Sequence, residues 1–400
     1  MSKDKSKNTA ADKPDNNFVS AKKFLMNMYE FRNNIISNTI EMKLKFPKSD
    51  EDKNFNQCND SELYCMLKER GFKISQADLR ALLSSSFVEN YNPIELYFKT
   101  VKEKYKNNDF KSVEHSEIDR LSSYVNAKDN ERFKKHFKKA LVRTVACALY
   151  PKVVNKQAFV LVSESQNIGK THFIRFLISE MLKDYYTENI GIDKDSLIAL
   201  CENFIINMDE LATISKKDLN SLKSVFSKES DKSRRPYDSR QIRRTRTASF
   251  FGSTNAVEFL NDHTGSVRWL CFEIEGIDFE YSKVIDIDKV WAEAYFLLET
   301  GFIYQLTKEE IEENEDKNRN HQILTSEMEM IPKYFERATK ENKTDFLTTT
   351  EILTHLRQNT GLNTLNVNNV GKALSLLGFV KGQESGEKYP IKGYYVITKK

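Results

Sequence analysis

Three groups able to do chemistry stand in order along the middle of the chain: Gly169-Lys170-Thr171, then Asp209-Glu210, then Asn255. Glycine, lysine and a hydroxyl residue in that order suit a phosphate. The ammonium reaches the outer phosphate oxygens, and the hydroxyl can ligate magnesium. The loop reads Glu164, Ser165, Gln166, Asn167, Ile168, Gly169, Lys170, Thr171, with His172 opening the next element. It departs from G-x-x-x-x-G-K-[ST] at the first position, where Glu164 replaces glycine. A carboxylate facing the phosphates is unwelcome, so its side chain is expected to point away and the loop to be modified rather than dead. Asn167 tolerates positive φ better than most residues, which suits the apex of the loop.

The stretch FIINMDEL is an apolar run ending in Asp209 and Glu210. At a strand end, one carboxylate can orient magnesium and its neighbour can activate an attacking water. The stretch SFFGSTN places Asn255 at the tip of another run, where it can position water near a γ-phosphate. A strand running into an acidic cap is common by itself. The order strand, loop, helix, strand, Asp-Glu is not, and it points to ATP with Mg2+.

These groups need a frame. QAFVLVSES, NFIINMDE, TASFFGSTN and VRWLCFEIE read as strands; KTHFIRFLISEMLKDYY and KKDLNSLKSVF read as helices between them. Such alternation argues for an α/β, doubly wound sheet over residues 151–305, closed by the helix DKVWAEAYFLLETG that stops at Gly301. Phosphate then sits where a strand passes through the loop to a helix N-terminus.

Residues 18–150 read as a mainly helical domain with one hairpin, whose turn lies at Ser37-Asn38 and whose helices include one that stops at Gly71. ERFKKHFKKALVRTVACALY is an amphipathic helix set to pack on the next domain. The acidic run KEEIEENEDKNRNH within 306–340 reads as an exposed helix or linker. Over 341–400, two helices and a basic hairpin keep the order of a winged helix.

Composition sets the outer limits. The chain has 400 residues, 39% hydrophobic and 30% charged, with a net charge of only +4, so any nucleic-acid surface must be local. Five cysteines are scattered with no metal spacing, which fits a reducing, cytoplasmic setting. The polar stretch 1–17 reads as a disordered tail, and no apolar run approaches membrane length.

The motifs SESQNIGKT, INMDELATISKKDLNSLKSVFSKESDKSRRPYDSRQIRRTRTASFFGSTN and EFLNDHTGSVRW together resemble the virulence-associated protein E family. These are helicase-like P-loop ATPases of phages, plasmids and pathogenicity islands. The likeness rests on Lys223, Arg235-Pro236-Tyr237, Thr254-Asn255, Asp262, Thr264, Gly265 and Arg268, and spans about Phe31 to Glu275. It implies an AAA+-like P-loop NTPase core related to superfamily 3 helicases, with Asn255 at the sensor position and Arg268 an arginine finger acting in trans. It also implies a homo-oligomer, a hexameric ring, serving DNA replication of a mobile element beside a partner primase. The C-terminal module looks like a winged-helix-like domain able to meet duplex DNA.

Between the carboxylates and Asn255 lies DKSRRPYDSRQIRRTR, with seven Lys or Arg against two Asp. In a ring ATPase an insertion there becomes a hairpin facing the channel. Arg234, Arg235, Arg240, Arg243, Arg244 and Arg246 would then track a single-stranded phosphate backbone, and Tyr237 would stack on a base. The expected function is an ATP-dependent DNA helicase or translocase. An initiator or loader that binds DNA without unwinding it, and an ATP-gated defence or signalling scaffold, remain the alternatives.

Overall fold

The structure is a computed structural model, and it describes residues 16–47, 49–110, 116–191, 193–211, 222, 224–233, 242–260, 266–385 and 389–399. Most of the tail therefore lies outside the described residues. Its last two residues do not behave as tail: the Asn16 side chain accepts from Phe18 N and caps a helix over Asn17–Met28. The expected hairpin comes next as β1 (Tyr29–Asn34) and β2 (Thr39–Leu44), with Asn38 at φ +57° in the turn. Two short strands extend it: β3 (Asn56–Gln57) pairs with β2, and β4 (Glu89–Tyr91) runs parallel to β1. Helices Asp60–Glu69 and Gln76–Leu83 close this unit by burying Leu63, Leu67, Leu79 and Leu82 against Leu25 and Val88. The unit thus holds a four-stranded sheet as well as its helices. Strands of two or three residues are too short to show a period.

The middle of the chain is built on six strands. They are β5 (Val125–Ala127), β6 (Ala158–Val162), β7 (Tyr186–Glu188), β8 (Ile205–Met208) and, after a short hairpin, β11 (Ser249–Thr254) and β12 (Trp269–Ile277). The hairpin consists of β9 (Ser230–Ser233) and β10 (Ile242–Thr245), paired antiparallel. The sheet order is β5-β12-β6-β11-β8-β7, parallel throughout except for the antiparallel edge strand β5. Strands β6, β8 and β11 are buried at every residue, as a parallel sheet covered on both faces requires.

One face is covered by the helix Asn130–Leu149, through Phe133, Phe137, Leu141 and Val145, together with Val290 and Trp291 of the helix Ile287–Glu299. The other face packs on Leu200, Leu222, Phe226 and Phe259. Helices Pro93–Lys104 and Asn130–Leu149, read with the N-terminal unit, thus share their apolar cluster with this central sheet.

Two elements depart from their reading. The helix expected over KTHFIRFLISEMLKDYY is α-helical only over Lys170–Phe176 and resumes as a 3-10 turn over Glu180–Tyr185. Ser179 makes the break: its hydroxyl accepts from Met181 N and donates to Asp288 Oδ1 at 2.6 Å, which ties the chain to another helix. The acidic run forms a helix, Lys308–Arg319, that is exposed over most of its residues as read, yet it buries Glu310, Asn314 and Asn318. Asn314 and Asn318 both donate to the Trp269 carbonyl, at 2.9 and 2.8 Å, while Lys139 donates to the buried Glu310 at 2.8 Å. A polar face is buried here, satisfied by hydrogen bonds rather than by apolar contact.

The C-terminal module packs helices Ser326–Tyr334, Thr349–Thr360 and Val367–Leu376 on β13 (Phe335–Arg337), β14 (Asp345–Leu347), β15 (Lys381–Glu384) and β16 (Ile391–Thr398). All three shorter strands pair antiparallel with β16. Its own core includes Ile331, Phe335, Leu356, Val370, Leu374 and Val396. The chain as a whole is mixed α/β with several sheets, and among the described residues no helix is long and apolar enough to cross a membrane.

Candidate functional site

The parallel strands β6, β8 and β11 end side by side, and each carries a polar group out of the sheet. After β6 the chain turns through Ser163 to Gly169 and enters the helix Lys170–Phe176. Asn167 and Gly169 adopt φ of +59° and +91°, left-handed conformations that asparagine and glycine accept most readily. A Cβ at Gly169 would also come to 2.5 Å from the tip of the Phe279 ring, which would have to swing aside.

Lys170 is the hub of the loop. Its ammonium donates to Ser165 O at 3.0 Å and to Asn255 Oδ1 at 2.8 Å, so it bridges the loop and the end of β11. Burial lowers its pKa, and the nearby Asp209 carboxylate pulls the other way. Thr171 Oγ1 donates to Asp209 Oδ1 at 2.8 Å, joining the helix start to the end of β8. Ser253 of β11 donates to the same carboxylate oxygen. The backbone of Glu210 donates to Asp209 Oδ1 at 3.1 Å, and Glu210 sits at φ +52°, which is strained for glutamate. Strain of that kind collects at functional sites.

These groups line one pocket of about 510 Å³: Gln166 to His172, Arg175, Asp209, Glu210, Ser253, Thr254, Asn255 and Phe279. The volume is that of a small-molecule site. One hydroxyl and one carboxylate side by side form a donor set that suits magnesium, which takes one or two carboxylates and fills its other positions with water and phosphate. Among the described residues no three His, Cys, Asp or Glu side chains are grouped to hold a metal by themselves.

Most loop residues named from the sequence, with Asp209, Glu210 and Asn255, are therefore brought together. Glu164 is exposed and Ser165 contributes a carbonyl; neither lines the pocket. The Lys128 pKa is raised mainly by Glu273, with the Glu164 carboxylate a small contributor. Motif spacing does not single out Ser253, Arg175 or Phe279, yet all three line the pocket. Ser253 had a signal, since it directly precedes Thr254-Asn255; Phe279 had none, because the turn after β12 that carries it meets the loop only through the sheet order.

Arg268 closes the 3-10 turn Ser266–Arg268 just before β12, half-buried, and donates from Nε and Nη2 to Ser227 Oγ at 3.3 Å, outside the pocket of its own chain. Of the basic segment, Arg243 is exposed on β10 and Arg244 is half-buried, while Arg234, Arg235, Tyr237 and Arg240 lie outside the described residues. So do Lys223, Asp262, Thr264 and Gly265. Arg246 is a correction. It is fully buried, and its guanidinium donates to Ala248 O, Phe226 O and Asn155 O at 2.8, 2.7 and 2.7 Å. No phosphate can reach it.

Comparison with known proteins adds two findings. The virulence-associated protein E-like domain matches residues 108–323. An apo structure of the NrS-1 C-terminal region (305–718) is similar in fold, with a TM-score of 0.50 and 11% identity, covering 96% of this chain and 100% of that one. An A-form apo structure of the same region gives a TM-score of 0.48 at 11% identity, covering 95% and 100%. No curated protein matches the chain.

Proposed function

The chain belongs to the virulence-associated protein E-like family, and from that premise we propose that it hydrolyses ATP to drive movement on DNA during replication of a mobile element. The observation that supports this reading best is the pair of hydrogen bonds Lys170–Asn255 and Thr171–Asp209, which draw three strand ends into one pocket. In this reading the core is a P-loop ATPase of the AAA+ kind, assembled as a homo-oligomeric ring.

Lys170 exchanges its protein partners for outer phosphate oxygens when nucleotide binds. Thr171 and Asp209 would hold magnesium, which would offset the charge of the triphosphate. Glu210 takes the proton of a water that attacks the γ-phosphorus, and the bond to the β–γ bridging oxygen breaks to leave ADP and phosphate. Asn255 positions that water and reads whether the γ-phosphate is present. Arg268, outside its own pocket, serves the site of a neighbouring subunit.

Two basic surfaces support a DNA partner. One is the β9–β10 hairpin with Arg243, the stem of the basic segment expected to face a channel. The other is a C-terminal groove of about 940 Å³ between the helix Val367–Leu376 and strands β15 and β16. Lys372, Lys381 and Lys392 line it, and among the described residues none of the lining is acidic. The second surface favours an alternative, an initiator or loader that grips duplex DNA through a winged-helix-like module without unwinding it.

Glu210→Gln tests the chemistry. The variant should bind ATP with unchanged affinity and hydrolyse it at least ~10²-fold more slowly, the scale for losing a positioned base. Near-normal turnover would remove Glu210 from its role. Strand displacement from a forked duplex by the wild type separates the helicase from the loader.

A further inference from the structure

Phe279 is a large apolar ring in a mostly polar pocket, and 47% of it is exposed. Leaving that much aromatic surface in water at a site mouth is unfavourable unless something covers it. Its backbone is pinned on both sides. Asp278 N donates to Tyr124 O at 2.8 Å, and Ser282 donates to Phe279 O from its amide at 3.1 Å and its hydroxyl at 2.9 Å. The tip of the ring approaches Gly169, the His172 ring centroid is 6.0 Å away, and the Tyr281 ring stacks at 25° and 6.4 Å.

The pocket also has a direction. Side chains two apart on a helix do not face the same way. Lys170 points to Asn255, and His172 points to Phe279. The reacting end of a triphosphate therefore belongs with Lys170, Asn255 and Glu210, and whatever hangs from its other end passes Gly169 and His172 toward Phe279.

We propose that Phe279 is the platform on which the base of the bound nucleotide stacks, with His172 at its edge. This rests on the nucleotide reading above and adds to it what holds the base. A ring offers every base a π-face and no hydrogen-bond pattern, so a stacked base is held without being identified. The site then accepts nucleoside triphosphates broadly and prefers them to bare polyphosphate.

The test compares MgATP, MgGTP and Mg-tripolyphosphate binding to the full chain by calorimetry, for the wild type, Phe279→Ala and Phe279→Trp. Phe279→Ala should weaken both nucleotides about tenfold or more, the range for loss of one stacked base, and leave tripolyphosphate unchanged. Phe279→Trp should retain nucleotide affinity, and binding should quench its indole fluorescence. Equal weakening of all three ligands would make Phe279 a brace for the loop, and undiminished ATP binding would leave the ring without a role; either overturns the proposal. Tripolyphosphate binding lost in Lys170→Ala but kept in Phe279→Ala would uphold the phosphate site independently. A wild type that binds none of the three would overturn the nucleotide reading and this inference together.

Discussion

Lys170 and Asn255 are held together by a 2.8 Å hydrogen bond from Nζ to Oδ1, across two strands that are neighbours in the sheet but far apart in the chain. The group expected to grip phosphate and the group expected to sense it are thus one unit before any ligand arrives. In the proposed reading, binding exchanges this bond for a phosphate contact and frees the Asn255 amide to orient water.

Two substitutions at Asn255 should separate these roles. Asn255→Ala leaves Lys170 free for phosphate, so ATP affinity should hold while turnover falls by about tenfold or more, as expected when a group acts mainly in the transition state. Asn255→Asp instead sets a carboxylate beside the ammonium, and that ion pair competes with the ligand, so ATP affinity should fall. Equilibrium binding read beside steady-state hydrolysis checks both. Equal behaviour of the two variants would count against the exchange.

How each part is buried explains why some of it is legible in the sequence. Strands β6, β8 and β11, and the first four residues of β12, are covered on both faces, so they stand out as near-continuous apolar runs. Lys170, Thr171 and Asp209 fall at fixed offsets from those runs, which is enough to place them. Glu310, Asn314 and Asn318 give no such sign, because their helix buries its polar face against Lys139 and the Trp269 carbonyl, inverting the usual pattern. Phe279 joins the pocket only because β12 lies beside β6, which no local spacing reveals. Arg246 is hidden in plain view: a charge run suggests solvent, yet this member turns inward to bind three carbonyls.

His136 should make stability depend on pH. It is buried on the helix Asn130–Leu149, and that burial, reinforced by Arg132, Lys135 and Lys139 and opposed by Glu310, lowers its pKa to about 4. The unfolded chain takes up the proton near the ordinary histidine value of 6.5. Between these limits the unfolded state binds more protons, so this contribution is complete above pH 6.5 and is lost as pH falls toward about 4. Glu310 acts lower. Burial alone would raise its carboxyl, but Lys135 and Lys139 hold it at about 2, so its contribution is lost only as pH falls from 4.5 toward that value. Chemical denaturation across the upper window should show a slope that His136→Leu flattens. An unchanged slope would assign the dependence to another group.

The last prediction sets Arg246 against Arg243, two members of one basic run with opposite surroundings. Arg246→Ala strips partners from the carbonyls of Ala248, Phe226 and Asn155 and leaves a void beside Phe250, whose ring centroid is 5.0 Å from the guanidinium. Unpaired buried acceptors and a cavity both destabilise, so the loss should be about 3 kcal/mol or more. Arg246→Lys should rescue little, because a single ammonium lacks the flat fork that meets three carbonyls at once. Arg243→Ala removes an exposed side chain and should change stability by no more than about 0.5 kcal/mol. On single-stranded DNA the order reverses. Removing one cation that meets a phosphate should reduce the slope of log affinity against log salt by roughly 0.7, equally on unrelated sequences. Arg243→Ala should show that reduction, while Arg246→Lys, measured where it stays folded, should keep the wild-type slope. Denaturation curves beside fluorescence anisotropy at several salt concentrations decide the matter. A destabilised Arg243→Ala, or a salt slope lowered by Arg246→Lys alone, would reverse the two assignments.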